Sequence, residues 1–283
     1  MASDLKIRAV LSPTMLAVVG GVYWLDLSGA LGVKEGALSA VLLGLLGIGG
    51  VWEFSNLLRS AGFAVGKKTL MVAASLLLGS AFAFGWADLD NELYPLVAGT
   101  LLLLFPLALR SLGREDMHHG LERQGATLLG FIMVAWPMYL AMGTCFRCLP
   151  SLLYVVLICK GGDIGGYCFG RMFGRHKLIP YISPGKTVEG ALGSLMTSVV
   201  LAWLLNEPMI GARLDLPVWG ALLTGVVLNF TTQTGDLIES LLKRRCNAKD
   251  SSNLLPAHGG ILDLVDSLLF SFCAWFLVLV RLT

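Results

Sequence analysis

Acidic, basic and hydroxyl side chains crowd into residues 160–266, in patterns suited to holding phosphates. In Thr234-Gly-Asp236-Leu-Ile-Glu239-Ser240-Leu-Leu-Lys243-Arg244-Arg245, positions Asp236, Glu239, Ser240 and Lys243 fall at i, i+3, i+4 and i+7. On a helix they form one polar stripe. Lys249-Asp250-Ser251-Ser252 follows, and then Pro256-Ala-His258-Gly259-Gly260-Ile-Leu-Asp263-Leu-Val-Asp266 places two aspartates three residues apart in the first turn of a further helix. Carboxylates at two helix ends facing a loop of Lys, Arg and His suit Mg²⁺ bound to a nucleotide. That ion takes one or two protein carboxylates and completes its shell with substrate phosphates and water. Taken alone, the Lys243–Arg245 run is equally a device for attraction to anionic lipid.

Two upstream clusters add to this. Lys160-Gly-Gly-Asp163-Ile-Gly-Gly-Tyr167-Cys-Phe-Gly170-Arg171-Met-Phe-Gly174-Arg175 has Gly162, Gly166, Gly170 and Gly174 at every fourth position, a face on which another helix can approach closely. Asp163 and Tyr167 share a second face. An acid at a membrane boundary is costly enough to suggest a role, the bland reading being an ion pair between Asp163 and Lys160. In Ser183-Pro184-Gly185-Lys186-Thr187-Val-Glu189-Gly190, the Gly-Lys-Thr resembles a P-loop, but Pro180 stands where that motif needs glycine and no strand signal precedes it. A lysine, two hydroxyls and a helix start remain, a set that grips phosphate oxygens by charge and through backbone N–H groups at the helix N-terminus.

The elements that position these residues are membrane helices. The 283 residues are 55% hydrophobic and 14% charged, with a mean hydropathy of +0.74, and runs of about 20 apolar residues, enough to cross a bilayer, recur throughout. Nine spans are expected, at 9–25, 37–54, 70–87, 93–109, 126–143, 150–170, 188–205, 217–240 and 261–281, the third and fourth forming a hairpin across the acidic Trp86-to-Glu92 turn. The first follows Lys6 and Arg8 like a signal peptide but lacks a small-x-small cleavage site, and reads as a retained helix. Sixteen Lys and Arg residues fall on the N-terminal side and in even-numbered loops, against Lys34, Arg147 and Arg213 in odd-numbered ones. By the positive-inside rule the N-terminus is cytoplasmic, and the three clusters share the cytoplasmic face. The expected fold is thus an all-α polytopic membrane protein, with residues 1–150 (spans one to five) carrying plain helices, Glu53 the clearest exception, and residues 151–283 (spans six to nine) carrying the chemistry. Of the cysteines, Cys145 and Cys148 form a C-x-x-C with no second pair or histidine to complete a zinc site, and the rest read as packing residues.

Ser240-x-x-Lys243-Arg244, Lys249-Asp250-x-Ser252 and Leu255-Pro256-x-His258-Gly259-Gly260-x-x-Asp263-x-x-Asp266 together resemble the C-terminal signature of the phosphatidate cytidylyltransferase (CDP-diacylglycerol synthase) family, and the Asp163–Gly174 and Ser183–Gly190 stretches resemble its other shared region. The resemblance implies that the phosphate of phosphatidic acid attacks the α-phosphorus of CTP and pyrophosphate leaves, at an inner-membrane site on the cytoplasmic side. It implies Asp236 and Asp263 as principal ligands of Mg²⁺, or of Mg²⁺ and a second cation, with Asp250 and Asp266 assisting. Lys186, Lys243, Arg244 and Lys249 would hold phosphates, Ser183, Ser240 and His258 would orient oxygens, and Asp163, Tyr167, Thr187 and Glu189 would line the substrate site. A phosphate monoester is already ionised near neutrality, its second pKa being about 6, so no strong general base is required. The family arginine after the first acid of the final D-x-x-D is Leu264 here, leaving its charge to Arg244, Arg245 or Lys249.

Rival readings are a CTP-dependent lipid kinase, a cytidylyltransferase for an isoprenoid lipid, a transporter using Asp163, Asp236 and Asp263, and a paralogue disabled at Leu264. No nucleic-acid partner is expected. The apolar first half must be covered either by lipid or by a second copy in a homodimer.

Overall fold

A computed structural model of the chain describes residues 14, 17–87, 93–112, 117–255 and 259–282. The helices are α1 (Ala17–Ser28), α2 (Ala37–Ser60), α3 (Lys67–Trp86), α4 (Leu93–Leu112), α5 (Met117–Gly130), α6 (Trp136–Phe173), α7 (Val188–Leu205), α8 (Val218–Arg245) and α9 (Ile261–Leu282), with π-helical turns at Phe131–Ala135 and Asn206–Gly211. Within α6 the backbone is extended at Cys148 (φ −157°, ψ 88°), two residues before Pro150. Proline cannot donate to the preceding turn and its ring strikes that turn's carbonyl, so two apolar helices replace one.

The chain forms two compact units, Met1–Phe146 with Cys246–Leu264, and Arg147–Arg245 with Val265–Thr283. In the first, α2, α3, α4 and the Phe131 turn pack around Phe54, Leu70, Leu103, Phe131 and Met138. Its outward residues are large and apolar, among them Leu45, Val72, Leu76, Leu101 and Phe105. The second unit has a similar exterior (Leu192, Met196, Trp203, Phe230) over a more polar interior of Ser194, Ser198, Asn229, Thr232 and Ser271. In water that distribution would be unfavourable. In lipid it is the expected one, since apolar faces meet acyl chains and polar groups find partners between helices.

Six described helical segments are long and apolar enough to cross a membrane: Ala37–Ser60, Lys67–Trp86, Gly120–Arg147, Leu149–Phe173, Val188–Gly211 and Ile261–Leu282. The chain is therefore read as a multi-pass helical membrane protein. The other three expected spans are described only in part or are more polar: part of the first, and several residues of α4 beyond Pro95–Phe105, lie outside the described residues, while α8 carries polar side chains from Asn229 to Glu239. The Asp88-to-Glu92 part of the expected α3–α4 turn also lies outside the described residues, although α4 packs on α3. None of the six cysteines forms a disulfide, and Cys145 and Cys148 are buried.

An all-helical chain was expected, yet the α6–α7 connection contains a two-stranded antiparallel hairpin, β1 (Lys177–Ile179) and β2 (Ser183–Thr187), pairing Lys177 with Thr187 and Ile179 with Ser183. Pro180 and Pro184 keep the segment out of a helix, and strand pairing satisfies the backbone instead.

Candidate active site

The second unit contains a cavity of about 450 Å³ lined by α6, the hairpin, α7 and α8. From α6 come Asp163, Gly166, Tyr167, Gly170 and Arg171; from the hairpin Ser183, Gly185, Lys186 and Thr187; from α7 Gly190 and Ser194; and from α8 Gln233 and Asp236. The cavity exists because α6 and α7 touch through glycine. A Cβ on Gly166 would lie 3.2 Å from the Gly190 carbonyl oxygen, and one on Gly190 would lie 2.8 Å from the Gly166 carbonyl oxygen and 3.2 Å from the Gly170 Cα. The every-fourth-residue glycines of α6 thus face α7, as their spacing predicts.

At the cavity's polar end, Lys186 forms an ion pair with Asp236. Both side chains are partly exposed, at 26% and 32%, so water or a ligand can reach the pair. Ser240 Oγ lies 3.5 Å from Asp236 Oδ1, and one turn on, Lys243 pairs with Glu239, which is 3% exposed. The stripe predicted for α8 therefore exists as two ion pairs in series. Asp163 and Asp266 lie within electrostatic reach of Asp236, with Lys160, Lys186 and Lys243 as neighbouring cations. Lys160 donates to Ser267 Oγ at 2.8 Å and is also an electrostatic neighbour of Asp163.

Backbone donors at the start of α7 serve a different purpose from the one expected. Thr187 is the N-cap, its Oγ1 accepting from Gly190 N at 3.1 Å, and Val188 N donates to the His176 carbonyl at 2.9 Å. Those two N–H groups are occupied in holding the hairpin to the helix, and from this motif the Ser183 and Lys186 side chains line the cavity. Glu189 faces the same joint. Its carboxylate accepts from Arg175 N at 3.1 Å and from His176 N at 3.3 Å and lies 2.7 Å from His176 Nδ1, away from the cavity lining. Tyr167 accepts a hydrogen bond from Arg171 at 3.1 Å.

Sequence reasoning missed Gln233 and Asn229, which extend the polar stripe of α8 one and two turns upstream of Asp236, respectively. Asn229 Nδ2 donates to Ser194 Oγ at 2.6 Å and Ser198 Oγ at 3.1 Å, and Gln233 Nε2 donates to Asn229 Oδ1 at 2.6 Å. An amide within an apolar run is the signal that would have found them, because a buried amide without a partner costs a few kcal/mol.

Of the four carboxylates expected to bind metal, Asp236 and Asp266 belong to the second unit and Asp250 and Asp263 to the first. Asp263 Oδ2 accepts from Ser251 N and Ser251 Oγ, each at 2.8 Å, and from Gly260 N at 2.7 Å. Gly259, at φ +86°, turns the chain into α9, a conformation side chains other than glycine seldom adopt. Ser240, Lys243, Arg244 and Lys249 are not in the cavity lining, and His258 lies outside the described residues. Among the described residues, no three or more His, Cys, Asp or Glu side chains form a group able to hold a metal ion.

A family model described as the cytidylyltransferase family matches residues 7–282. Phosphatidate cytidylyltransferases of Staphylococcus haemolyticus and Staphylococcus saprophyticus are each 43% identical to the chain over 122 residues, 43% of this chain and 46% of the relative. That of Haemophilus influenzae is 43% identical over 121 residues, 41% of each chain. The chain thus spans less than half the length of the curated relatives it matches.

Proposed function

The chain belongs to the cytidylyltransferase family, and from that premise we propose that it is a phosphatidate cytidylyltransferase, making CDP-diacylglycerol and pyrophosphate from CTP and phosphatidic acid. The observation that carries this reading is the cavity whose polar end holds the Lys186–Asp236 pair, with Asp163, Arg171 and Ser183 around it. A phosphate oxygen of phosphatidic acid forms a bond to the α-phosphorus of CTP as the bond from that phosphorus to the bridging oxygen of the β-phosphate breaks. Both reactants are anions, so catalysis consists largely of positioning them and offsetting their charge.

Lys186 leaves Asp236 for a phosphate oxygen when substrate enters, and Arg171 and Ser183 hold further oxygens. Asp236, with Asp163 beside it in the cavity, is the carboxylate placed to hold a divalent cation, read as Mg²⁺; Asp266, Asp250 and Asp263 are the further candidates. When bound, that cation supplies positive charge to the triphosphate. Lys243, Arg244 and Lys249 carry the remaining positive charge, and Arg244, Arg245 or Lys249 stands in for the arginine replaced by Leu264. The site faces the cytoplasm, where CTP is found, in keeping with the distribution of Lys and Arg along the chain.

The test uses purified protein in detergent with Mg²⁺, phosphatidic acid and CTP labelled in either its α- or its γ-phosphate. Transfer of the α-label to the organic phase, lost in Asp236→Asn, supports cytidylyl transfer. Movement of the γ-label instead identifies a lipid kinase. If neither label moves in wild type but the α-label moves in Leu264→Arg, the chain is a disabled relative.

A further inference from the structure

Glu53 lies in the C-terminal half of the apolar helix α2 and is fully buried, at 0% exposure. An acid in such a place is expensive and persists only where it has partners. Its partners lie about 200 residues later in the chain. Glu53 Oε1 accepts from Ser252 Oγ at 2.6 Å, and Oε2 accepts from Leu262 N at 2.8 Å and lies 3.2 Å from Ser251 Oγ. The bond to Leu262 N satisfies one of the amide donors that the first turn of α9 leaves without an intrahelical acceptor, and it does so with a negative charge at the positive end of the helix dipole. Asp263 takes Gly260 N in the same turn. Ser251 Oγ has one proton and stands between the two carboxylates, 2.8 Å from Asp263 Oδ2.

The glycine that follows is shaped by this arrangement. A Cβ at Gly260 would collide with both the Ser251 hydroxyl and the Glu53 carboxylate, so the second glycine of the signature makes room for an acid donated by another helix. Ser251 and Ser252 directly follow Lys249 and Asp250. The carboxylate on α2 therefore holds the loop that presents two of the charged residues assigned to phosphate and metal.

We propose that Glu53 is a positioning residue for the reaction, a buried carboxylate that clamps the Lys249–Ser252 segment and the start of α9 through Ser251, Ser252 and Leu262. This rests on the cytidylyltransferase reading of the site, and it gives α2 a part in the reaction.

The experiment compares full-length wild type with Glu53→Gln, which keeps the volume, Glu53→Ala, and Ser252→Ala, which removes one donor. Two readouts are taken: kcat and KM for CTP, and backbone hydrogen exchange followed by mass spectrometry. The clamp predicts that in the Glu53 variants kcat falls by about tenfold or more, the effect usual for supporting groups around a reactive site, with a smaller loss in Ser252→Ala. It also predicts faster exchange confined to residues 250–255 and 259–262, with α3 and α7 unchanged. Because Glu53→Gln preserves shape and Ser252→Ala leaves the acid in place, the test does not depend on Glu53→Ala folding. Exchange that rises equally throughout the helices would show a general structural role and overturn the proposal. So would kcat and KM within about twofold of wild type, even with a loosened loop. If wild type itself transfers no cytidylyl group, the reaction assigned above fails, and with it the catalytic part of this inference; the exchange pattern then decides whether the clamp exists.

Discussion

Replacing Lys186 with Met removes the ammonium while keeping most of the apolar stem. Because the Lys186–Asp236 pair is partly exposed, at 26% and 32%, its loss should change stability by only about 0–1 kcal/mol. Substrate binding should suffer more. A charge-assisted hydrogen bond from lysine to a phosphate oxygen contributes about 1.5–3 kcal/mol, and each 1.36 kcal/mol is about tenfold in rate. A loss of roughly ten- to hundredfold in kcat/KM for CTP follows. The assay is transfer of α-labelled CTP into lipid over a range of CTP concentrations, with thermal unfolding in detergent as a control. Asp236→Asn and the double variant complete a cycle. If Lys186 serves only to neutralise Asp236, removing both should restore activity toward that of the better single variant. If Lys186 holds phosphate, the double variant should be no better than the worse one. A Lys186→Met enzyme with kcat/KM within about threefold of wild type and an unchanged Tm would refute the assignment of this cavity to the triphosphate.

Gly190→Ala should destabilise the protein, because the added methyl meets the backbone of α6 at Gly166 and Gly170 and overpacking of about 1–3 kcal/mol exceeds the gain in helix propensity of about 1 kcal/mol; a lower Tm in detergent checks this. Thr187→Ala removes the N-cap of α7 and should cost about 1 kcal/mol, visible as a lower Tm, whereas Thr187→Ser should behave as wild type. Chelation should abolish transfer and added Mg²⁺ restore it, with Asp236→Asn requiring more Mg²⁺ for half-maximal activity; an unchanged Mg²⁺ requirement would remove Asp236 from the cation's ligands.

The membrane character of the chain, the helical stripe from Asp236 to Lys243 and the glycine face of α6 were all legible in the sequence, because each depends on local periodicity. A run of apolar residues reports its preference for lipid wherever it stands, and residues three or four apart share a helical face in any tertiary context. Family membership was legible for a similar reason, since residue types and spacings survive without coordinates. The hairpin before α7 was harder to read. Its segment carries the lysine and hydroxyls of a phosphate loop, and only the paired backbone shows that Thr187 caps the helix and that Glu189 turns toward His176.

Which acid meets which base was the part reserved to tertiary structure. Lys186 has several carboxylates as formal partners, and its pairing with Asp236 follows from the hairpin lying over the end of α8 within one cavity. Asn229 and Gln233 received no role from the sequence, and their partners, Ser194, Ser198 and the Ala191 carbonyl, come from α7. Glu53 is the clearest case. Its sequence neighbours are apolar, and its partners, Ser251, Ser252 and Leu262, stand 198, 199 and 209 residues away. Hydrogen bonds and ion pairs act over a few ångströms of space regardless of distance along the chain. A sequence can therefore show that a buried carboxylate needs a donor, while the packing of the helices selects which donor it receives.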